Sequence, residues 1–381
     1  MNPDRPYRPP WRLAGIVLWA IPLLVISILV VLQPTKRTVM PVYHDAVTDW
    51  QAGLNLYRGP NYHYLPHFAI LFLPFHAFPA PWGDVVWRLL SGGLLAWAFW
   101  RLLQLWPSSD NCRRFFWASA IGFALCLPGM RNGQANVIFG ALLAHAAVSL
   151  CRQGWWTALV LLFLAMMIKP LAIVMLLLAG VVYRPLLWRA VVGAAAFALF
   201  PFFFGPPHYV LAQWQASLSH LRDVSLVTEH RFADLNGLFR TLGTPLNGRV
   251  SQLVRLAAGA LTLAFWWRGA ARVGEPWRGV FLLALATTYL MVFNPMTELN
   301  SYVILAPVLA VLALHYFDQP SRRTVGAVLI GVILSMGLLP EIVRPWDPHF
   351  ALWWFPIMGL VFIGLVIRDI FTRPAPVVPA S

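Results

Sequence analysis

From Leu13 to Leu32 the chain runs for twenty residues without a charged side chain, and this run limits what the rest can fold into. A helix needs about 20 apolar residues to cross a hydrocarbon layer of about 30 Å. Eleven further apolar segments follow: Trp82–Leu105, Cys112–Pro128, Gln134–Leu150, Trp155–Ile168, Pro170–Tyr183, Leu187–Phe204, Val250–Trp267, Trp277–Phe293, Ser301–Phe317, Thr324–Leu339 and Phe350–Ile367. Backbone inside lipid has to satisfy its own hydrogen bonds, so continuous runs predict helices, whereas a barrel would show short alternating strands. Charged residues make up only 11% of the chain, against about 25% in a soluble protein. The expected fold is all-α: a polytopic integral membrane bundle of about twelve transmembrane helices in a single membrane-embedded domain over residues 1–381. No small-residue cleavage site follows Leu32, so the first run is expected to stay as a span.

The formal net charge is +14. In a membrane chain such an excess follows from the basic loops of the cytoplasmic side, so no nucleic-acid partner is expected. If Phe68–Phe78, short and punctuated by prolines, is a re-entrant or interfacial segment, then Arg101, Arg113/Arg114, Arg152, Arg184/Arg189, Arg268/Arg272/Arg278, Arg322/Arg323 and Arg368/Arg373 share the cytoplasmic side. Both termini are then expected to be cytoplasmic, in a cell (plasma or inner) membrane. The polar loops open on the other face. They include the first outer loop, residues 33–81, and a long loop, residues 205–248, in which Trp214–Leu226 reads as an amphipathic surface helix. Cys112, Cys126 and Cys151 lack metal-ligand spacing, and His44, His63, His67 and His76 show no paired spacing, so no metal site is expected. Neither GxGxxG nor a P-loop lysine occurs.

The outer loops carry the candidate chemistry. Asp45 and Asp49 lie four residues apart, on one face of an expected amphipathic helix whose apolar stripe is Tyr43, Ala46, Trp50 and Gly53 and which Arg58-Gly59-Pro60-Asn61 ends. They read as a general base for an acceptor hydroxyl, or as a solvated face. Arg131-Asn132-Gly133-Gln134-Ala135-Asn136 reads as a donor-rich turn for an oxyanion or sugar, or as a helix cap. Lys169 interrupts apolar sequence at Pro170, so it reads as a cavity cation for a phosphate, or as a snorkelling lysine. His230, Arg231 and Arg240 are secondary phosphate candidates. Glu298 and Asn300 face the same cavity, or cap the helix ahead of Ser301.

The pattern Tyr43-x-x-Ala46-x-x-x-Trp50-x-x-Gly53-x-x-x-Tyr57, then Tyr64-x-Pro66, Leu71-Phe72-x-Pro74, Gly133-Gln134-x-Asn136 and Lys169-Pro170, resembles glycosyltransferase family 87, from about Tyr43 to Leu312. The resemblance implies a GT-C fold and inverting transfer of a hexose, typically mannose, from a polyprenyl-phosphate donor to a lipid or glycan acceptor, with no cofactor or metal. It implies an aspartate base in the first outer loop, here Asp45 and then Asp49. Lys169, with Arg131 or Arg231, would steady the leaving lipid phosphate. Gln134, Asn136 and His67 would orient sugar hydroxyls, and Tyr64 would line the substrate site. The chain departs from the family pattern at three places. Its acid follows Tyr43 instead of preceding it, His67 replaces a second proline, and no histidine stands near Asn300. A lipid transporter or flippase, or a non-catalytic family member, is the alternative expectation; a transporter would show internal repeats, and no convincing repeat is found.

Overall fold

The computed structural model describes residues 10–59, 61–224 and 232–373. Its order is α1 (Trp11–Leu32), α2 (Met40–Gln51), α3 (Pro66–His76), α4 (Trp82–Leu103), α5 (Asn111–Asn132), α6 (Ala135–Cys151), α7 (Trp155–Ile168) and α8 (Ile173–Val182). Then come α9 (Leu186–Leu199), α10 (Pro207–Val224), α11 (Leu235–Thr241), α12 (Gly248–Ala270), α13 (Trp277–Phe293), α14 (Ala306–Phe317), α15 (Arg323–Val343) and α16 (Phe350–Thr372). Every apolar segment named above is helical, and no strand forms among the described residues.

The helices sort by length in a way that shapes the molecule. Five stretches are long and apolar enough to cross a membrane: α1, Leu186–Phe203, α12, Pro320–Val343 and α16. They are peripheral, with 11–44% of their apolar stretch buried. The apolar helices α6, α7, α13 and α14 are shorter. α6 has 17 residues, about 26 Å at 1.5 Å per residue, which is less than a hydrocarbon layer. Core helices that stop short of one membrane face leave room there for polar groups.

α6 is the centre of the bundle, and every residue from Ala135 to Leu150 is buried. Its composition explains that position. Lipid gives apolar helices no hydrophobic reason to associate, so close packing of small residues has to supply the attraction. At Gly140 a Cβ would lie 2.8 Å from the Ile304 Cα, so the backbones touch where no side chain fits.

One end of the bundle is tied by arginines. Arg114 pairs with Asp318 at 2.9 Å, linking α5 to the end of α14. Asp369 of α16 takes Arg322 and Arg373 and accepts from the Tyr316 hydroxyl at 2.8 Å. Several of the basic groups that the charge pattern assigned to one side therefore do share an end.

The other end is built from loops. α3 has 11 residues, about 16 Å, too short to cross. It packs against α2, α4, α7 and α10. α10 covers the loop between α2 and α3: Gln213 Oε1 accepts from the Leu56 N–H at 3.0 Å, and the Tyr209 hydroxyl donates to the Leu54 carbonyl at 2.7 Å. Two boundaries differ from the sequence reading. α2 ends at Gln51 because the chain turns at Ala52–Gly53, well before Arg58. α10 starts at Pro207, seven residues before Trp214, because proline suits a first helical turn.

Candidate functional site

α2 turns Tyr43 inward, where edge-on contacts to Phe68, Phe72 and Trp87 hold its ring at centroid distances of 4.7, 5.4 and 6.2 Å. A buried phenol needs partners for its hydroxyl. Tyr43 has two: the Tyr64 hydroxyl at 2.9 Å and the Ala135 N–H, which donates to it at 3.1 Å. The second bond satisfies a backbone donor at the start of α6 that the helix itself leaves open. Burial holds the Tyr43 phenol up at about 12, so it stays protonated.

The α5–α6 turn presents its amides beside this phenol. Gly133 turns the chain with φ +69°, and its carbonyl accepts from Trp87 Nε1 at 2.8 Å. Beyond it the amides form a directed relay. Asn136 Nδ2 donates to Gln134 Oε1 at 2.8 Å and to Ser301 Oγ at 3.0 Å, and Gln134 Nε2 donates to Glu298 Oε2 at 3.0 Å. The relay fixes which way Gln134 points, since only its nitrogen can face a carboxylate. Asn136 Oδ1 is buried with no hydrogen-bond partner, an open acceptor in a polar cluster.

Lys169 enters from α7. The residue before a proline is pushed out of the helical region, and Lys169 is extended at φ −139°, ψ 129°. Its Nζ lies 5.8 Å from the Tyr64 ring centroid, and the Glu298 charge acts on it. The two groups make no ion pair within 4.0 Å, so the carboxylate and the ammonium face a common space without closing it. Glu298 is exposed and Lys169 and Tyr64 are half-buried.

The loop carrying Glu298 is anchored from below. Asp234 caps α11 by accepting from the Gly237 N–H at 2.8 Å, and its second oxygen accepts from the Met296 N–H at 3.0 Å. The Ala233 N–H donates to the Thr297 carbonyl at 2.7 Å. The place of Asp234 just ahead of the apolar turn of α11 is a sequence signal for such a cap.

The structure thus brings together Tyr64, Gln134, Asn136, Lys169 and Glu298, with Tyr43 and Ser301 added. It places the other candidates elsewhere. Asp45 is exposed and two residues from Tyr43, hence on the opposite face of α2. Asp49 is 5% exposed and held in a two-pronged pair with Arg58, whose Nε donates to its Oδ2 at 2.9 Å. A carboxylate held in that way, with little exposure, is already committed to a cation, which counts against the base role expected of it. His67 is fully buried, stacked on Phe197 at 4.0 Å, with Nε2 against the Phe197 carbonyl at 2.8 Å. Its partners are those of a packed histidine, not of a sugar ligand. Arg131 is half-buried at the end of α5, and Asn300 lies half-buried in the 3-10 turn Leu299–Ile304. His230 and Arg231 lie outside the described residues. Among the described residues no three His, Cys, Asp or Glu side chains gather closely enough to hold a metal ion.

His67 sets a pH response. Burial lowers it to about 4, whereas an unfolded histidine titrates near 6.5. Between those values the unfolded chain binds a proton that the folded chain refuses, so stability is lost as pH falls below 6.5. The loss at pH 5 is about 2 kcal/mol. Melting in detergent at pH 7 and pH 5 is expected to show a drop that His67→Leu reduces; an unchanged drop in the variant would remove His67 as its source.

Fold and cluster together define a helical, polytopic membrane protein with a carboxylate, two amides and an ammonium gathered at one end. The sequence model of glycosyltransferase family 87 matches residues 62–295, more than half the chain, and the chain belongs to that family: it is a membrane glycosyltransferase. The matched stretch is shorter than the Tyr43–Leu312 span of the resemblance; it includes Tyr64, Gln134, Asn136 and Lys169 and leaves Tyr43 and Glu298 outside. No curated protein matches the chain.

Proposed function

We propose that the protein transfers a hexose, by family resemblance mannose, from a polyprenyl-phosphate donor to a lipid or glycan acceptor, with inversion, on the extracytoplasmic face of a cell membrane. The observation that carries this reading is the meeting of Glu298, Gln134 and Lys169 beside Tyr43 and Tyr64, at the end of the bundle away from the Arg114–Asp318 and Arg322–Asp369 pairs. Glu298 is the acid that shares this space, so it is the base of choice in place of Asp45.

The chemistry balances on these groups. Glu298 takes the proton of the acceptor hydroxyl as its oxygen attacks the sugar C1. The C1–O bond to the lipid phosphate breaks on the opposite side, and the leaving phosphate gains a negative charge. Lys169 meets that charge as it develops, which is where a preplaced cation lowers a barrier most. The open Asn136 Oδ1 accepts from a sugar hydroxyl. The proton on Glu298 leaves to water.

Purified protein is expected to use polyprenyl-phosphate mannose and to ignore GDP-mannose; the reverse preference would overturn the donor assignment. Lys169→Met is expected to lower kcat/KM about a hundredfold, in the range seen when one transition-state donor is removed. Lys169→Arg is expected to restore part of it, and equal rates for all three proteins would remove Lys169 from the reaction.

A further inference from the structure

Three guanidinium groups gather beside the α5–α6 turn, and no carboxylate makes an ion pair with any of them among the described residues. Arg88 is 2% exposed. Its donors go to neutral oxygens: Nη2 to Thr38 Oγ1 at 2.9 Å, Nη1 to the Asp84 carbonyl at 3.1 Å and Nε to the Arg131 carbonyl at 3.3 Å. The Asp84 carboxylate, one turn away, is taken by His44 Nε2 at 2.8 Å. Arg131 Nη1 is closed off from solvent and has no hydrogen-bond partner. Arg37, exposed in the α1–α2 connection, adds a like charge that acts on Arg131. The Asp84 charge acts on Arg88 without a direct ion pair, so the positive charge of the buried Arg88 and half-buried Arg131 is only partly offset. An anion seated among the three would relieve it, and guanidinium forks match the geometry of phosphate oxygens.

This cluster is separate from Lys169. Its arginines lie on α4, at the end of α5 and in the α1–α2 connection, whereas the lysine ends α7, and the two helices α4 and α7 both pack against α6. The charges couple in sequence: Arg88 acts on Tyr43, Tyr43 and Lys169 both feel Glu298. The arginine cluster and Lys169 are therefore linked through the same residues, Tyr43 and Glu298.

We propose that Arg37, Arg88 and Arg131 form a second phosphate site, and that it holds the phosphate ester of a lipid acceptor while Lys169 faces the phosphate of the donor. The acceptor role rests on the transfer reading given above; the binding site does not. Holding the acceptor by its phosphate would present a headgroup hydroxyl to Glu298 from the Tyr43 side.

Two measurements test it. The protein in detergent is titrated calorimetrically with dioctanoyl phosphatidic acid, inorganic phosphate and dioctanoylglycerol, without turnover. Phosphatidic acid is expected to bind and dioctanoylglycerol not. Arg37→Gln with Arg131→Gln is expected to weaken binding at least tenfold, and Arg131→Lys to keep part of it. Equal binding by wild type and double variant, or no binding of phosphatidic acid by wild type, overturns the site. Inorganic phosphate bound as tightly as the lipid assigns the site to a free anion and overturns the acceptor role. In turnover, the double variant is expected to raise the acceptor KM at least tenfold with the donor KM unchanged; a rise in the donor KM alone overturns the assignment. Absence of any sugar transfer would sink the transfer reading and leave the binding result to stand or fall by itself.

Discussion

Glu298→Gln is expected to reduce transfer about a thousandfold while donor binding stays within a few-fold of wild type, since a positioned base contributes about 10²–10⁴ in rate. The substitution keeps the shape of the side chain and removes its charge and its basicity. It could also set a donor against a donor, because Gln134 Nε2 donates to Glu298 Oε2; the new amide can rotate to present its oxygen instead of its nitrogen, so the relay from Asn136 survives. Folding should be little changed, because Glu298 is exposed and Asp234, not Glu298, anchors the loop. Asp45→Asn is the comparison. Asp45 stands on the exposed face of α2, and its loss is expected to change the rate less than about threefold, as a solvated surface carboxylate would. Rates measured with saturating donor decide between the two acids. A thousandfold loss in Asp45→Asn with Glu298→Gln unaffected would move the base to α2 and require the α2–α3 segment to close over the cluster during reaction.

Much of the fold was legible because lipid allows so few solutions. A run such as Leu13–Leu32 has to be a helix, and polar residues that interrupt such runs, Gln134 and Lys169, have to meet something other than lipid. Those two residues do meet in one cluster. The segment from α2 to α3 was less legible. Asp45 and Asp49 share a helix face by spacing, yet one is exposed and the other is covered by Arg58, and no local pattern tells where the loop after Gly53 will return. Tyr43 was read as a member of an apolar stripe, which it is; its hydroxyl matters only because Ala135 arrives from 92 residues away. His67 was expected to orient a sugar hydroxyl only because of the family resemblance; by its sequence alone it could equally bond a backbone carbonyl. Its partner, the Phe197 carbonyl, lies 130 residues on. Arg88 drew no role, although an arginine within an apolar run is itself a signal.

Gly133→Ala is expected to cost both stability and activity, for two separable reasons. Gly133 is left-handed, at φ +69°, and a residue with a Cβ is strained there by about 1–2 kcal/mol. The added Cβ would also lie 2.7 Å from Met40 Sδ and 2.9 Å from Arg88 Cζ. Methionine is flexible and can yield, but Arg88 is fixed by three hydrogen bonds and buried. The turn is then the part that moves, and Gln134 and Asn136 move with it. A displacement of about 1 Å at positioning groups can cost about a hundredfold in rate. Gly133→Asn separates the causes. Asparagine tolerates the left-handed region better than alanine, so its backbone strain is smaller while the crowding against Arg88 is at least as great. If crowding governs activity, both variants lose transfer and the asparagine variant melts no lower than the alanine variant. Gly93→Ala is the control: it sits on α4 with open space around its Cβ position, and it is expected to gain slightly in stability and to keep full activity. Full activity in Gly133→Ala would mean that the turn does not hold the amides in register with Glu298, and the relay would then be an effect of packing without a part in transfer.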